Sequence, residues 1–229
     1  MLLLSDAAVA RVPVQDSGDL LVDVREASDL LLDHRKADAD GAWARLRQGV
    51  LDRLVAAEQQ LPDRVRLLVV EGHRPAALQR RYFEEYCAEL VAAGVGPTLA
   101  SVRDEASQHV SPPEVAPHPC GSAVDLTLVT DGREVDMGCP VNATPAESDG
   151  ACFTAAPGIS AEARHWREVL GSALTHAGLV NYPPEWWHWS YGDRYWAVVT
   201  GAGSHPRARL ISPRLGPDTT EEYRDPCHS

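Results

Sequence analysis

Two short segments hold the side chains that could bind a metal ion and activate water. Residues 118–125 read HPCGSAVD and residues 183–189 read PPEWWHW. Together they supply two imidazoles, His118 and His188, one carboxylate that could act as a ligand and one further carboxylate. A catalytic zinc site needs three protein ligands, an open position for water and a general base beside it. This set of side chains therefore predicts a catalytic zinc site with one ion per chain.

The pattern around Asp125 places its carboxylate among apolar neighbours. Residues 123–128 alternate as a strand does, with Asp125 in the middle. A carboxylate there is costly to bury unless it is paired or binds a metal. Gly121 lets the backbone turn sharply, so that the side chains of His118 and Asp125 can converge.

The segment before His188 constrains the position of Glu185. His188 lies among aromatic residues of a predicted strand, and Pro183 and Pro184 stiffen the approach to Glu185. Three residues along a regular strand would put the Glu185 and His188 side chains on opposite faces. We therefore expect Glu185 in the turn before the strand, aimed at the water of the metal site.

The types of the ligands favour zinc. Two neutral imidazoles and one carboxylate leave Zn²⁺ with net positive charge, so it can bring the pKa of bound water towards ~7. A calcium site would use more carboxylates and no histidine. Cys120 is a rival soft ligand, but it lies only two residues from His118, which makes joint ligation awkward and favours Asp125.

A predicted buried strand at residues 67–70 runs into Glu71 and then Arg74. An arginine at the end of such a strand, just before a helix, is well placed to point into a cleft. Its planar guanidinium suits a carbonyl that becomes an oxyanion, or a substrate carboxylate. A surface arginine paired with one of the many acidic residues is the alternative, and position alone leaves both open.

The remaining pattern predicts hairpins with helices set between them. Strands are predicted at residues 20–24, 67–70, 123–130, 133–137, 187–191 and 194–199, with turns at residues 131–132 and 192–193. Helices are predicted at residues 41–61, 75–93 and 160–177, and loops at residues 96–117 and 138–158. The inner face of the second helix is expected to carry Leu78, Tyr82, Tyr86 and Leu90. This order indicates an α+β domain over residues 1–200, with a mainly antiparallel sheet flanked by helices, and a mobile tail at residues 201–229.

Composition excludes several classes of partner. The chain has 229 residues, 44% of them apolar, which suits one domain with a sizeable core. A net charge of -12 argues against nucleic-acid and acidic-membrane partners. The N-terminal apolar run is too short for a signal peptide, and no stretch approaches a membrane span. We expect a cytoplasmic protein whose five cysteines are mostly free thiols, with a Cys139–Cys152 bridge as the alternative.

Four motifs together resemble a known enzyme family. They are residues 72–75 (GHRP), His118-x6-Asp125 followed by LTL, residues 136–138 (DMG) and residues 185–188 (EWWH). In combination, over residues 20–199, they resemble the D-alanyl-D-alanine dipeptidases of the VanX type. That zinc peptidase family also includes murein D,D- and L,D-carboxypeptidases and relatives of the hedgehog signalling domain.

The resemblance implies a role for each motif residue. His118, Asp125 and His188 would be the zinc ligands, Glu185 the catalytic base and acid, and Arg74 the residue that binds substrate and stabilises the transition state. It also implies a hedgehog/DD-peptidase-like fold and a cytoplasmic enzyme with a small, enclosed cavity for a free dipeptide.

The chain departs from the family pattern at three places. His73 stands where the family usually has tyrosine, Ala116 stands where the better-known members have serine, and residues 22–26 offer no tyrosine for the amino end of the substrate. The metal and base residues are intact. The three departures concern the contacts that bind the amino end of the dipeptide, and strict specificity for D-Ala-D-Ala.

The leading hypothesis is a zinc dipeptidase acting on D-Ala-D-Ala or a related D-amino-acid dipeptide. One alternative is a D,D- or L,D-carboxypeptidase acting on larger cell-wall or natural-product peptides. A non-catalytic zinc-binding module is the other, although structural zinc sites are normally closed by four protein ligands. The sequence leaves the oligomeric state and the physiological role open.

Overall fold

The computed structural model describes residues 1–14 and 17–202. Its strands in chain order are β1 (Leu21–Asp23), β2 (Leu31–Leu32), β3 (Arg45–Arg47), β4 (Val65–Glu71), β5 (Ala123–Thr130), β6 (Arg133–Glu134), β7 (Val180–Tyr182) and β8 (Glu185–Ser190). The helices are α1 (Ala7–Ala10), α2 (Val24–Ala27), α3 (Gln48–Glu58), α4 (Ala76–Ala92), α5 (Leu99–Ala106), α6 (Ala161–His176) and α7 (Arg194–Thr200). Two 3₁₀ turns lie at Ala42–Ala44 and His118–Cys120.

Six of the strands form the main sheet, in the spatial order β2-β4-β5-β8-β7, with β6 also pairing with β5. Only β2 and β4 run parallel, and the other pairs are antiparallel. Strands β1 and β3 form a separate antiparallel pair. The predicted mixed α+β domain with a mainly antiparallel sheet is confirmed.

Strand β5 is buried on both faces, and the two faces have different roles. Val124, Leu126 and Leu128 point into the main apolar core, which α3 and α6 complete with residues such as Leu54 and Leu170. The alternation of side chains puts the intervening polar residues of β5 on the opposite face. The sheet therefore separates an apolar core on one side from the polar site on the other.

The predicted helix over residues 41–61 is wrong at its beginning. Helix α3 begins at Gln48, because Gly41 is left-handed (φ 66°) and β3 pairs with β1. Trp43 and Leu46 are buried as their spacing suggested, but they lie in the 3₁₀ turn and in β3.

Two other predictions are corrected. Residues 99–106 of the predicted loop form α5, capped by Thr98, whose hydroxyl accepts from Ser101 N. The predicted strand at residues 194–199 is helix α7, because the Asp193 carboxylate caps it by accepting from Trp196 N at 2.6 Å. The partner of β8 in the second hairpin is therefore β7, across Pro183-Pro184.

The second predicted helix is confirmed in position and corrected in orientation. Helix α4 buries Gln79 and Phe83, whereas Leu78, Tyr82, Tyr86 and Leu90 are only half-buried. The hairpin turn at residues 131–132 and the Ser160 cap of α6 are as predicted, and β6 is shorter than expected.

The described part of the structure ends near the start of the proposed tail. The tail is described only to residue 202, so residues 203–229 lie outside the described part. Among the described residues, no helix is long and apolar enough to cross a membrane. Cys87, Cys120, Cys139 and Cys152 are free thiols, so the Cys139–Cys152 bridge is not formed.

Candidate active site

The pairing of β5 with β8 brings a carboxylate and an imidazole together. Asp125 lies directly opposite His188 in the antiparallel register, so both side chains point to the same face of the sheet. His188 Nδ1 is 3.0 Å from Asp125 Oδ1. Both residues are buried, with 2% and 4% of their surfaces exposed.

His118 reaches the same point from the 3₁₀ turn that precedes β5. Its Nδ1 lies 2.7 Å from the carbonyl oxygen of Gly72 at the end of β4. Donation from Nδ1 to this carbonyl leaves Nε2 as the ring atom with a free lone pair. Nε2 is 3.4 Å from Asp125 Oδ1, is buried, and makes no hydrogen bond within the described residues.

These three side chains fit a metal ion. One ligand atom from each of His118, Asp125 and His188 lies within 4.8 Å of the other two. Burial would raise the pKa of Asp125, but the two imidazoles beside it hold this pKa well below its usual range. The site therefore presents an ionised carboxylate and an unpartnered ring nitrogen, a donor set that suits zinc.

Gly72 shapes the wall behind His118. A β-carbon at this position would lie 2.4 Å from the carbonyl oxygen of Arg45, far inside van der Waals contact. The close approach lets Gly72 N donate to Trp43 O at 2.7 Å while its own carbonyl accepts from His118. Only glycine allows the β4 end to pack this closely.

Glu185 is the first residue of β8, not part of the preceding turn as expected. In the β7–β8 pairing Tyr182 lies opposite Glu185 and Asn181 lies opposite Trp189, so residues 186–188 have no partner in β7. Such a bulge bends the strand and re-aims its side chains. As a result Glu185 Oε2 comes within 3.7 Å of His188 Nδ1, although regular alternation would separate them.

Asn181 supports this bulge, and the sequence reasoning missed it. Its side-chain amide nitrogen lies 3.1 Å from Glu185 O and 3.0 Å from His188 O. Thr154 donates its hydroxyl to Asn181 Oδ1 at 2.6 Å and thereby orients the amide. The side chain thus replaces the strand partner that the bulge removes. An asparagine two residues before Pro183-Pro184 was the only signal in the sequence.

The Glu185 side chain faces the cavity with 21% of its surface exposed. Burial raises its pKa to about 7, and His188 opposes that rise. A carboxylate with this pKa can exchange a proton near neutral pH.

Arg74 is held by a buried network that the sequence could not specify. The register between β4 and β5 shifts between Val69 and Glu71, which places Glu71 opposite Asp125. Glu71 accepts two hydrogen bonds from Arg74, at 2.7 and 2.6 Å. Burial would raise the pKa of Glu71, but Arg74 holds it below its usual value.

Gln79 completes the network. Its Oε1 accepts from Arg74 at 2.8 Å, and its amide nitrogen donates to Ser111 O at 2.8 Å. The guanidinium is therefore tied to α4 and to the loop that leads to His118. Arg74 retains two unengaged N–H groups within the described residues and lines the cavity. This placement favours an arginine that points into a cleft over a surface arginine.

A cavity of about 280 Å³ holds these groups together. Its wall includes every predicted site residue, namely Arg74, His118, Asp125, Glu185 and His188. Tyr82 and Tyr86 of α4 also line it, which is why the predicted inner face of that helix is not packed in the core. Cys120 is not among the lining residues, and burial raises the pKa of its thiol to about 12, which disfavours it as a ligand.

Two positions where the chain departs from the expected family pattern lie beside the site. Ala116 is buried in the cavity wall. The Nδ1 atom of His73 is buried without a hydrogen-bond partner in the described structure, and burial lowers the pKa of this ring to about 4.

Comparison with known proteins identifies the family. A D-Ala-D-Ala dipeptidase family model matches residues 53–201. The chain belongs to this peptidase family. Members are metallopeptidases with zinc as cofactor, so the predicted enzyme class and cofactor are confirmed.

Individual proteins are also similar to this chain. The chain is 33% identical over 178 residues to a D-alanyl-D-alanine dipeptidase of Synechocystis sp., an alignment that covers 66% of this chain and 71% of that relative. A solved VanY D,D-pentapeptidase in complex with Zn(II) is 19% identical with a TM-score of 0.42, covering 86% of this chain and 94% of its own. The LD-carboxypeptidase LdcB is 17% identical with a TM-score of 0.45, and the match covers 83% of this chain and 75% of LdcB. The likeness to hedgehog domains stays a prediction.

Proposed function

We propose that this member of the family is a zinc dipeptidase that hydrolyses D-Ala-D-Ala or a closely related D-amino-acid dipeptide. The observation that carries the proposal is the buried His118–Asp125–His188 cluster, which lines the same cavity as Glu185 and Arg74. Ligands, a base and an oxyanion-binding group are the parts that metal-assisted hydrolysis requires.

His118, Asp125 and His188 would hold the ion, through Nε2, a carboxylate oxygen and Nδ1. Zinc bound there would supply a Lewis acid able to polarise the scissile carbonyl and to lower the pKa of water. Gly72, through its carbonyl, fixes the ring orientation of His118.

Glu185 would act as general base and then as general acid. It takes a proton from the attacking water and delivers it to the leaving amine. Its pKa of about 7 in the cavity suits both directions of transfer near neutral pH.

Arg74 would stabilise the negative charge that develops on the carbonyl oxygen. Its charge is fixed, its orientation is held by Glu71 and Gln79, and no reorganisation is needed at the moment of reaction. The intact pair of Glu185 and Arg74 argues against a non-catalytic zinc module.

The size of the cavity favours a small substrate. Ligand sites typically enclose about 300–1,000 Å³, and this cavity of about 280 Å³ is slightly smaller than that range. A free dipeptide fits such a space better than a wall polymer. The free thiols of the described cysteines support the cytoplasm as the proposed location.

The deciding experiment measures D-alanine release from free D-Ala-D-Ala by zinc-loaded protein, beside a Glu185→Ala variant. We expect turnover by the wild type only, with about one zinc per chain in both proteins. Retained turnover in Glu185→Ala would overturn the role of this carboxylate. A zinc-loaded wild type that ignores D-Ala-D-Ala but trims a peptide ending in D-Ala-D-Ala would instead support the carboxypeptidase alternative.

A further inference from the structure

The single lysine of the chain lines the candidate active-site cavity. The sequence has 21 lysines and arginines, and Lys36 is the one lysine among them. It follows β2, is half-buried, and belongs to the same wall as Arg74 and Tyr82. The other 20 of these side chains are arginines, so Lys36 carries the one side-chain ammonium group of the sequence.

The ammonium of Lys36 is not committed to a carboxylate. Its Nζ lies 5.4 Å from the centroid of the Tyr82 ring, and Arg74 Cζ lies 5.1 Å from the same centroid. Over residues 1–14 and 17–202, no acidic side chain pairs with Lys36. Arg74, by contrast, forms an ion pair with Glu71.

The acidic residues of the wall are placed differently. Besides Asp125 and Glu185, they are Glu85 and Glu89, which are exposed and lie about one and two turns beyond Tyr82 along α4. Glu85 pairs with Arg81 at 3.7 Å. The cavity therefore has a cationic part around Tyr82 and an acidic part further along α4.

A free dipeptide carries a carboxylate one residue from the bond that is cleaved. Because the unengaged N–H groups of Arg74 are assigned to the carbonyl oxygen of the scissile bond, the second cation of the wall is the available partner for that carboxylate. We infer that Lys36 binds the free carboxylate of the substrate, so that this chain selects peptides whose C-terminal carboxylate lies beside the scissile bond. The inference rests on the proposed dipeptidase function.

The test compares D-Ala-D-Ala with its C-terminal amide, using wild type, Lys36→Met and Lys36→Arg. Loss of a charge-assisted contact should lower kcat/KM for the acid roughly 10- to 100-fold in Lys36→Met, mainly through KM. The same substitution should leave the amide nearly unaffected, and Lys36→Arg should recover most of the loss. Arg35→Met is the matched control, since Arg35 is next in sequence but pairs with Asp33 outside the cavity.

A binding measurement tests the same contact if hydrolysis of the amide is too slow to give a value of kcat/KM. In the zinc-loaded Glu185→Ala protein, calorimetry should give weaker binding of the amide than of the acid. Adding Lys36→Met should remove this difference. Increasing salt should weaken binding of the acid only while Lys36 is present.

The outcomes separate this inference from the function on which it rests. A wild type that hydrolyses D-Ala-D-Ala, with Lys36→Met losing the same factor on acid and amide, overturns the carboxylate contact alone. A zinc-loaded wild type that hydrolyses and binds neither compound overturns the dipeptidase proposal itself.

Discussion

At the scale of single residues, the site depends on buried carboxylates. Burial alone would favour the neutral form of each, so a carboxylate stays charged only where a nearby group compensates. Asp125 stays ionised because two imidazoles surround it, and Glu71 stays ionised because it holds Arg74. Glu185 has no such full compensation, and its pKa rises to about 7. The environment thus assigns different tasks to three carboxylates that composition alone does not distinguish.

His73 makes a prediction about pH. Burial lowers its folded-state pKa to about 4, against 6.5 for the free side chain. As pH falls from about 6.5 to 4, the unfolded chain binds a proton at this ring before the folded chain does, so stability is lost on acidification. We expect His73→Phe to lose less free energy of unfolding than wild type between pH 7 and 4.5.

Urea unfolding at a series of pH values, with chelator present in both proteins, measures this difference. The control is His34→Phe, which replaces an exposed histidine. Parallel curves for wild type and His73→Phe would contradict the assignment.

At the scale of elements, irregularities in two strands build the site. The bulge in β4 turns Glu71 towards Asp125, and the bulge in β8 brings Glu185 to the side of His188. Bulges next to active sites commonly re-aim side chains in this way.

Asn181→Ala tests the β8 bulge. Removing the amide leaves the carbonyls of Glu185 and His188 without their partner, which costs about 1–3 kcal/mol of stability. Because Glu185 shifts as well, we expect kcat to fall while zinc content stays near one per chain. Thr154→Val removes only the group that orients the amide, and should show the same change in smaller degree. Unchanged kcat in a destabilised Asn181→Ala would show that the bulge forms without this support.

Gln79→Leu tests how α4 positions the arginine. The side chain is buried and links Arg74 to Ser111. Without it we expect kcat to fall roughly 10-fold or more through misplacement of the guanidinium, with zinc content unchanged. Gln60→Leu, at an exposed position, is the control. Equal kcat values in the two variants would assign Gln79 to packing alone.

At the scale of the whole molecule, the sheet keeps the metal site apart from the main core. The apolar residues of α3, α6 and β5 pack on one face, while Asp125 and His188 lie on the other. Loss of the ion should therefore loosen the junction of β5, β8 and the 118–120 turn without unfolding the domain.

Chelation tests this separation. An ion at about 100 times its Kd contributes about 2.7 kcal/mol to stability. In a chain of this size each kcal/mol moves Tm by about 2–4 °C. We expect a chelator to lower Tm by about 5–10 °C while the far-ultraviolet circular dichroism at 25 °C stays native. His118→Ala should already show the lower Tm, with little further effect of the chelator. Complete unfolding on chelation would mean that the metal, and not the core, holds the fold.

The sequence alone determined which side chains could do the chemistry. The two histidines, Asp125, Glu185 and Arg74 were recognisable because their types suit zinc and an oxyanion, and because buried charges in apolar strands need a partner. The strong local patterns of β4, β5, α4 and α6 were likewise readable from periodicity and caps.

Only the tertiary structure decided how these groups meet. Strand register, the two bulges and the choice of β7 as the partner of β8 depend on pairings between residues distant in sequence, which no local pattern encodes. The same cause hid Asn181, Gln79 and Lys36, since each acts through a neighbour that only the fold supplies. Residues 194–199 were mistaken for a strand because their aromatic and β-branched composition favours one, whereas the Asp193 cap makes a helix there.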